Sequence, residues 1–201
     1  FSIFALFIVC VGVTQARATE KKKQIAHANP VAVVQDTFLY SFYEGVRLKN
    51  DPDSLNLALE KFEFCLQTDS TDAGAYAEAA AIYAVKKETN KAISYFEKAC
   101  KLSANNWWYS VRLISLYAEA NQIQKAVGLA EDLSKKYPQK DDIYNILISL
   151  YKDTKQHKKA IDAYNHLEKI YGINETFAFN KFQLYLELNQ AKKGVAEIDR
   201  L

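Results

Sequence analysis

The stretch AGAYAEAAAIYAVKKETNKAISYFEKACKLSANN, from Ala73 to Asn106, decides the fold. Its first half sets Tyr76, Ala79, Ala80 and Tyr83 at spacings of three and four, and its second half repeats the pattern with Ala92, Ile93, Phe96 and Ala99. Such spacings gather side chains on one face of an α-helix. Between the two sets lies Lys86-Lys87-Glu88-Thr89-Asn90, a polar break. The stretch therefore predicts two helices of about 14 residues each, joined by a tight turn, and helices that short are marginal alone in water. They must be stabilised by stacking on neighbours.

The neighbours are in the sequence. Ala58, Ala92, Ala126, Ala160 and Gly194 follow one another at intervals of 34 residues, and all are small. Leu48, Tyr83, Tyr117, Tyr151 and Tyr185 form a second ladder with steps of 35, 34, 34 and 34. Phe62, Phe96, Ala130, Tyr164 and Ile198 form a third. Three ladders in one phase identify an internal repeat. The small ladder has a steric reason: where two antiparallel helices cross closely, one side chain at the contact must be no larger than alanine. The aromatic of the preceding helix then lies across it, Tyr83 over Ala92 and Tyr117 over Ala126.

Composition agrees. Only 6 Gly and 3 Pro occur in 201 residues, too few punctuators for a sandwich or barrel of many short strands. Apolar residues make up 49%, charged residues 25%, and the net charge is +2. That excludes a disordered chain and gives no basic excess of the kind nucleic-acid binders carry.

A 34-residue helix–turn–helix period with a small residue at position 8, Tyr at 11, Ala at 20, an aromatic at 24 and Pro at 32 resembles the tetratricopeptide repeat. Position 8 is Gly45, Ala80, Ile114, Ile148 and Phe182 in the successive repeats, and position 32 is proline only at Pro138. The resemblance spans 37–201, with repeats at 37–72, 73–106, 107–140, 141–174 and 175–201. The second repeat matches best and the fifth diverges most. The first has one extra residue in its turn, around Asn50-Asp51-Pro52-Asp53. The resemblance implies an all-α fold, an α-solenoid of about five repeats wound as a right-handed superhelix and truncated in the last repeat. Asp72, Asn106 and Asn174 precede helix starts and are suited to cap them. Asn121 and Asn189 fall in turns that call for a left-handed residue, which Asn tolerates. Asn174-Glu175-Thr176 matches a glycosylation sequon, but the capping role accounts for Asn174 without a sugar.

Phe1 to Val13 carries no charge, and Ala16-Arg17-Ala18 follows shortly after. A 13-residue apolar run is too short to span a bilayer, and a small-x-small triplet beyond it reads as the end of a secretory signal. Residues 1–18 are thus expected to be a signal remnant, without its basic start or initiator Met, and residues 19–36 a flexible tether. The expected location is periplasmic or otherwise exported. Lipid anchoring through Cys10 is disfavoured by the bulk of Val9. Cys65 and Cys100, on separate helices, read as small buried packers rather than a disulfide. Leu201 falls inside the second helix of the fifth repeat. Repeat arrays need a polar terminal cap, so a frayed, adhesive C-terminal helix is expected.

Chemistry-bearing motifs are missing. No HExxH, CxxC, GxSxG or glycine-rich phosphate loop occurs, and His27, His157 and His166 read as surface residues. The expectation is no enzyme, no cofactor and no metal, with neither nucleic acid nor a small-molecule substrate as partner. The lysine pairs lie among carboxylates and read as solvated surface.

In tetratricopeptide arrays positions 2, 5, 9 and 12 of each first helix line a concave groove. The resemblance places Trp108, Ser115, Asn145, Ser149, Lys152, Phe179 and Gln183 there, with Arg112 beside them. Trp107 is expected to pack under the preceding turn. The Lys, Asn and Arg set with which some relatives clamp a C-terminal carboxylate is not matched, since Glu78 and Trp108 stand at its positions. The resemblance implies a non-enzymatic scaffold that holds a partner protein or peptide of the cell envelope. The alternative is the sensory region of a longer signalling protein, with a membrane span and effector beyond Leu201.

Overall fold

The computed structural model describes residues 30–201. Residues 1–18, expected to be a signal remnant, and residues 19–29 of the expected tether, with Cys10 and His27, lie outside them. The chain divides into two compact units at Ser70 and Thr71.

The first unit contains α1 (Pro30–Leu48), a short 3-10 helix (Pro52–Ser54) and α2 (Leu55–Thr68). Residues 30–36 therefore do not belong to a flexible tether: they form the opening turns of α1, where Pro30, which needs no N–H partner at a helix start, stands first. The extra residue of the first turn is absorbed by the 3-10 helix, whose N-cap Asp51 accepts from the amide of Asp53 at 3.2 Å. Helices α1 and α2 approach closely because Gly45 has no side chain. A β-carbon there would come within 2.9 Å of the Phe62 ring, which is fully buried and meets Phe42 edge-on at 5.6 Å.

The second unit contains eight helices: α3 (Ala73–Val85), α4 (Thr89–Leu102), α5 (Trp107–Glu119), α6 (Ile123–Lys136), α7 (Asp141–Asp153), α8 (His157–Tyr171), α9 (Glu175–Glu187) and α10 (Ala191–Ile198). Within the unit each helix packs against its neighbours in the chain. Three of its four first helices start on a capping side chain. Asp72 accepts from the Ala75 amide, Asn106 from that of Trp108 and Asn174 from that of Phe177. Lys140 opens α7 without a side-chain cap, and Asp141 and Asp142 supply first-turn negative charge instead.

The turn inside each repeat is one motif used four times. Lys87, Asn121, Lys155 and Asn189 have φ of +62°, +57°, +55° and +55°. The residue after each donates its amide back to the ladder tyrosine: Glu88 to the Tyr83 carbonyl, Gln122 to Tyr117, Gln156 to Tyr151 and Gln190 to Tyr185. This is the Schellman closure, which satisfies carbonyls that a helix end leaves free.

The ladders occupy the core. Ala92, Ala126 and Ala160 are wholly buried, and Gly194 is buried too, where a β-carbon would come within 2.9 Å of the Phe182 ring. Tyr83, Tyr117 and Tyr151 are buried. A lysine eight residues further on lies over each ring, Lys91 at 5.1 Å, Lys125 at 5.3 Å and Lys159 at 5.4 Å from the centroid. Ladder residue Ile198, at the end of α10, is instead exposed.

Candidate functional site

The eight residues placed in the groove by position lie on three first helices. Trp108, Arg112 and Ser115 are on α5, Asn145, Ser149 and Lys152 on α7, and Phe179 and Gln183 on α9. All eight are exposed. Trp108 keeps 58% and Phe179 53% of its surface in solvent, large values for apolar side chains. No hydrogen bond or ring contact among the described residues joins the three sets; they share register and exposure. Arg112 and Lys152 belong to no ion pair among the described residues. The Ser115 hydroxyl is spent on the Val111 carbonyl of its own helix at 3.2 Å.

Trp108 is positioned from below. Its amide is held by Asn106 at 3.2 Å, and its ring stacks on Trp107 at a centroid distance of 4.3 Å. Trp107 is half-buried, and the Lys140 ammonium lies 4.9 Å above its ring. Trp107 thus braces Trp108 and is itself pinned by Lys140, the last residue of its own repeat and the N-cap of α7.

Neighbouring repeats are fastened by hydroxyl–carboxylate bonds behind this face. Tyr117 donates to Glu97 at 2.6 Å and Tyr151 to Glu131 at 2.9 Å. Burial and the adjoining carboxylate push both phenols well above the usual tyrosine range. Glu131 also accepts from Lys159 at 2.8 Å, and that bond holds its carboxyl below the usual glutamate range.

No protein-family profile matches this chain, and no curated protein matches its sequence. Solved structures do match. A MamA structure from Desulfovibrio magneticus RS-1 has 16% identity over 82% of this chain and 93% of its own, with a TM-score of 0.65. A second MamA structure has 18% identity, covers 82% and 90%, and scores 0.68. YrrB, a TPR protein with an unusual peptide-binding site, has 18% identity, covers 79% and 81%, and scores 0.63.

The fold is that of a tetratricopeptide repeat protein. Within the tetratricopeptide register one residue stands out that its type alone had hidden. Lys181 occupies position 7, where the other repeats of the unit have Ala79, Leu113 and Leu147, and it is fully buried. Its ammonium lies 2.7 Å from Glu168, 2.6 Å from Glu197 and 3.1 Å from the Asn165 amide oxygen. Arg200 closes the cluster, 2.5 Å from Glu197 and 3.3 Å from Glu168. Burial by itself would raise the pKa of Glu197; the bonds from Lys181 and Arg200 outweigh it and hold the carboxyl below the usual range. Lys181 could have been found by asking which residue breaks the apolar ladder.

The tetratricopeptide packing also corrects the account of the histidines. His157 is not a surface residue. Its side chain is 13% exposed, Nε2 lies 3.1 Å from Glu187, and Nδ1 is buried without a partner among the described residues. His166 stacks on Tyr144 at 3.9 Å, with Nε2 2.9 Å from the Pro138 carbonyl oxygen. Both serve repeat packing. Cys65 and Cys100 are free thiols, the first buried and the second partly so; burial pushes the Cys100 thiol up.

Proposed function

We propose that the chain is an exported, non-enzymatic scaffold that holds a partner polypeptide along the first helices of its tetratricopeptide repeats. The observation that carries this reading is the exposed set in one register: Trp108, Arg112, Asn145, Ser149, Lys152, Phe179 and Gln183, with Ser115 between them. Trp beside Arg is the composition of binding hot spots, and the stacked Trp107 pre-orders the Trp108 ring before any partner arrives. Two cations without carboxylate partners suit a partner segment carrying acidic side chains, with apolar residues for Trp108 and Phe179. The unusual peptide-binding site of YrrB agrees with a polypeptide as the ligand class. Export to the cell envelope rests on the apolar run and Ala16-Arg17-Ala18.

The test is a peptide array probed with purified protein, followed by titration of the best binder. Trp108→Ala should weaken that binder at least about tenfold, the usual scale of a hot-spot truncation. Arg112→Ala combined with Lys152→Ala should weaken it more at low salt than at high salt. An affinity unchanged in both variants removes this face from the function.

A further inference from the structure

A cleft outside the groove set lies where the second helix of the third repeat meets both helices of the fourth. Ser134 of α6, Tyr144, Leu147 and Tyr151 of α7, and Lys159, Asp162, Ala163 and His166 of α8 enclose a cleft of about 310 Å³. That is the lower end of the size range of small-molecule pockets. None of these residues belongs to the groove set.

The second repeat explains why the cleft is there. Moving back 68 residues, two periods, turns Tyr144, Tyr151, Ala163 and His166 into Tyr76, Tyr83, Tyr95 and Lys98. In that repeat the Tyr95 ring fills the space. It lies 5.5 Å from Tyr76 and 5.1 Å from Tyr83, edge-on to both. The Lys98 ammonium stands 5.1 Å over Tyr76, as His166 stands 3.9 Å over Tyr144. The fourth repeat keeps both flanking tyrosines and the capping group but has Ala163 in place of the central ring. Ala163 is buried at the floor.

We propose that this slot takes a tyrosine side chain presented by a partner polypeptide, seated between Tyr144 and Tyr151 as Tyr95 is seated between Tyr76 and Tyr83. The chain itself supplies the template for the occupant, and edge-on rings at about 5 Å are a favourable aromatic arrangement. Asp162 makes the choice tyrosine rather than phenylalanine. It is exposed at the rim and belongs to no ion pair among the described residues. It is therefore free to accept a phenolic hydroxyl, whereas Lys159 and His166 already have partners in Glu131 and Pro138.

The experiment uses N-acetyl-tyrosinamide, N-acetyl-phenylalaninamide and N-acetyl-leucinamide as probes, titrated into the whole chain and followed by amide chemical shifts. Saturable shifts are expected for residues of α7 and α8, with an affinity of about a millimolar, the scale for a fragment of this size, and in the order tyrosine, phenylalanine, leucine. Ala163→Tyr refills the slot from within and should abolish the shifts. Ala163→Leu, which introduces the residue found at this position as Leu129, should do the same without an aromatic. Asp162→Ala should remove the preference for tyrosine over phenylalanine and leave phenylalanine binding unchanged. Trp108→Ala, on the groove face, should leave the shifts produced by these three probes as they are. Absence of saturable shifts, equal response to leucine, or binding that survives Ala163→Tyr in a folded variant overturns the proposal. So does self-association that Ala163→Tyr abolishes, which would give the slot to an exposed tyrosine of a second copy.

Discussion

At the residue scale, Lys155 marks where geometry overrules preference. A lysine at φ +55° is strained by its own β-carbon, at a cost of roughly 1–2 kcal/mol. The turn keeps it there because the amide of Gln156 must reach the Tyr151 carbonyl. Lys155→Gly should therefore stabilise the protein by about 0.5–1 kcal/mol, the strain relieved less the entropy glycine adds to the unfolded chain, measured as a shift in urea midpoint at constant slope. The sequence made two of the four left-handed positions legible, Asn121 and Asn189, because asparagine advertises that conformation. Lys87 and Lys155 were illegible by residue type, although they sit at the same phase of the period. The caps were readable for the same reason as the asparagine turns: Asp72, Asn106 and Asn174 carry a short acceptor where a helix must begin. Trp108 was readable as exposed from its position, but the stacking of Trp107 beneath it is tertiary geometry that spacing does not encode.

Among the elements, α9 and α10 are held together differently from the rest. Lys181, buried between Glu168 and Glu197, replaces the apolar contact of the other repeats. Removing one partner of a buried ion cluster leaves charge uncompensated, so Lys181→Ala should cost about 3–5 kcal/mol. The junction of the second and third repeats shows how to do without the cluster: its corresponding residues are Leu113, Leu129 and Cys100. The triple variant Lys181→Leu, Glu197→Leu, Glu168→Cys should recover most of that loss, since well-packed apolar replacements of buried ion clusters are often neutral. The wild type carries a pH signature that the triple variant lacks. Glu197 titrates below its ordinary value of 4.5 when folded, so it binds protons more weakly folded than unfolded. Its contribution is complete above that ordinary value, declines as pH falls below it, and is gone once pH passes the folded-state value. Chemical denaturation between pH 7 and pH 3 should show a steeper acid loss for the wild type than for the triple variant. An identical acid slope in the two would remove the cluster from the pH dependence.

For the molecule as a whole, stability is a sum of local terms. In the second unit each helix packs on its chain neighbours, so a defect travels only as far as the next interface. Lys181→Ala should therefore erase amide hydrogen-exchange protection in α9 and α10, reduce it in α8, and leave α3 and α4 nearly unchanged. Uniform loss of protection across all eight helices would mean global cooperativity instead. The period made this architecture legible at the outset, because three ladders in one phase constrain every helix at once. The fastening between repeats was not legible, because Tyr117 to Glu97 and Tyr151 to Glu131 join residues 20 apart that no helical periodicity relates. Those bonds also set rules of succession. A repeat with tyrosine at position 11 can follow any repeat with glutamate at position 25, so a gene duplication could copy residues 107–140 in tandem and leave every junction chemically intact. The fifth repeat has no such freedom: Lys181 requires Asn165 and Glu168 from the repeat before it. The array is thus interchangeable in its middle and keyed where the fourth repeat meets the fifth, and a duplication is expected ahead of that key rather than across it.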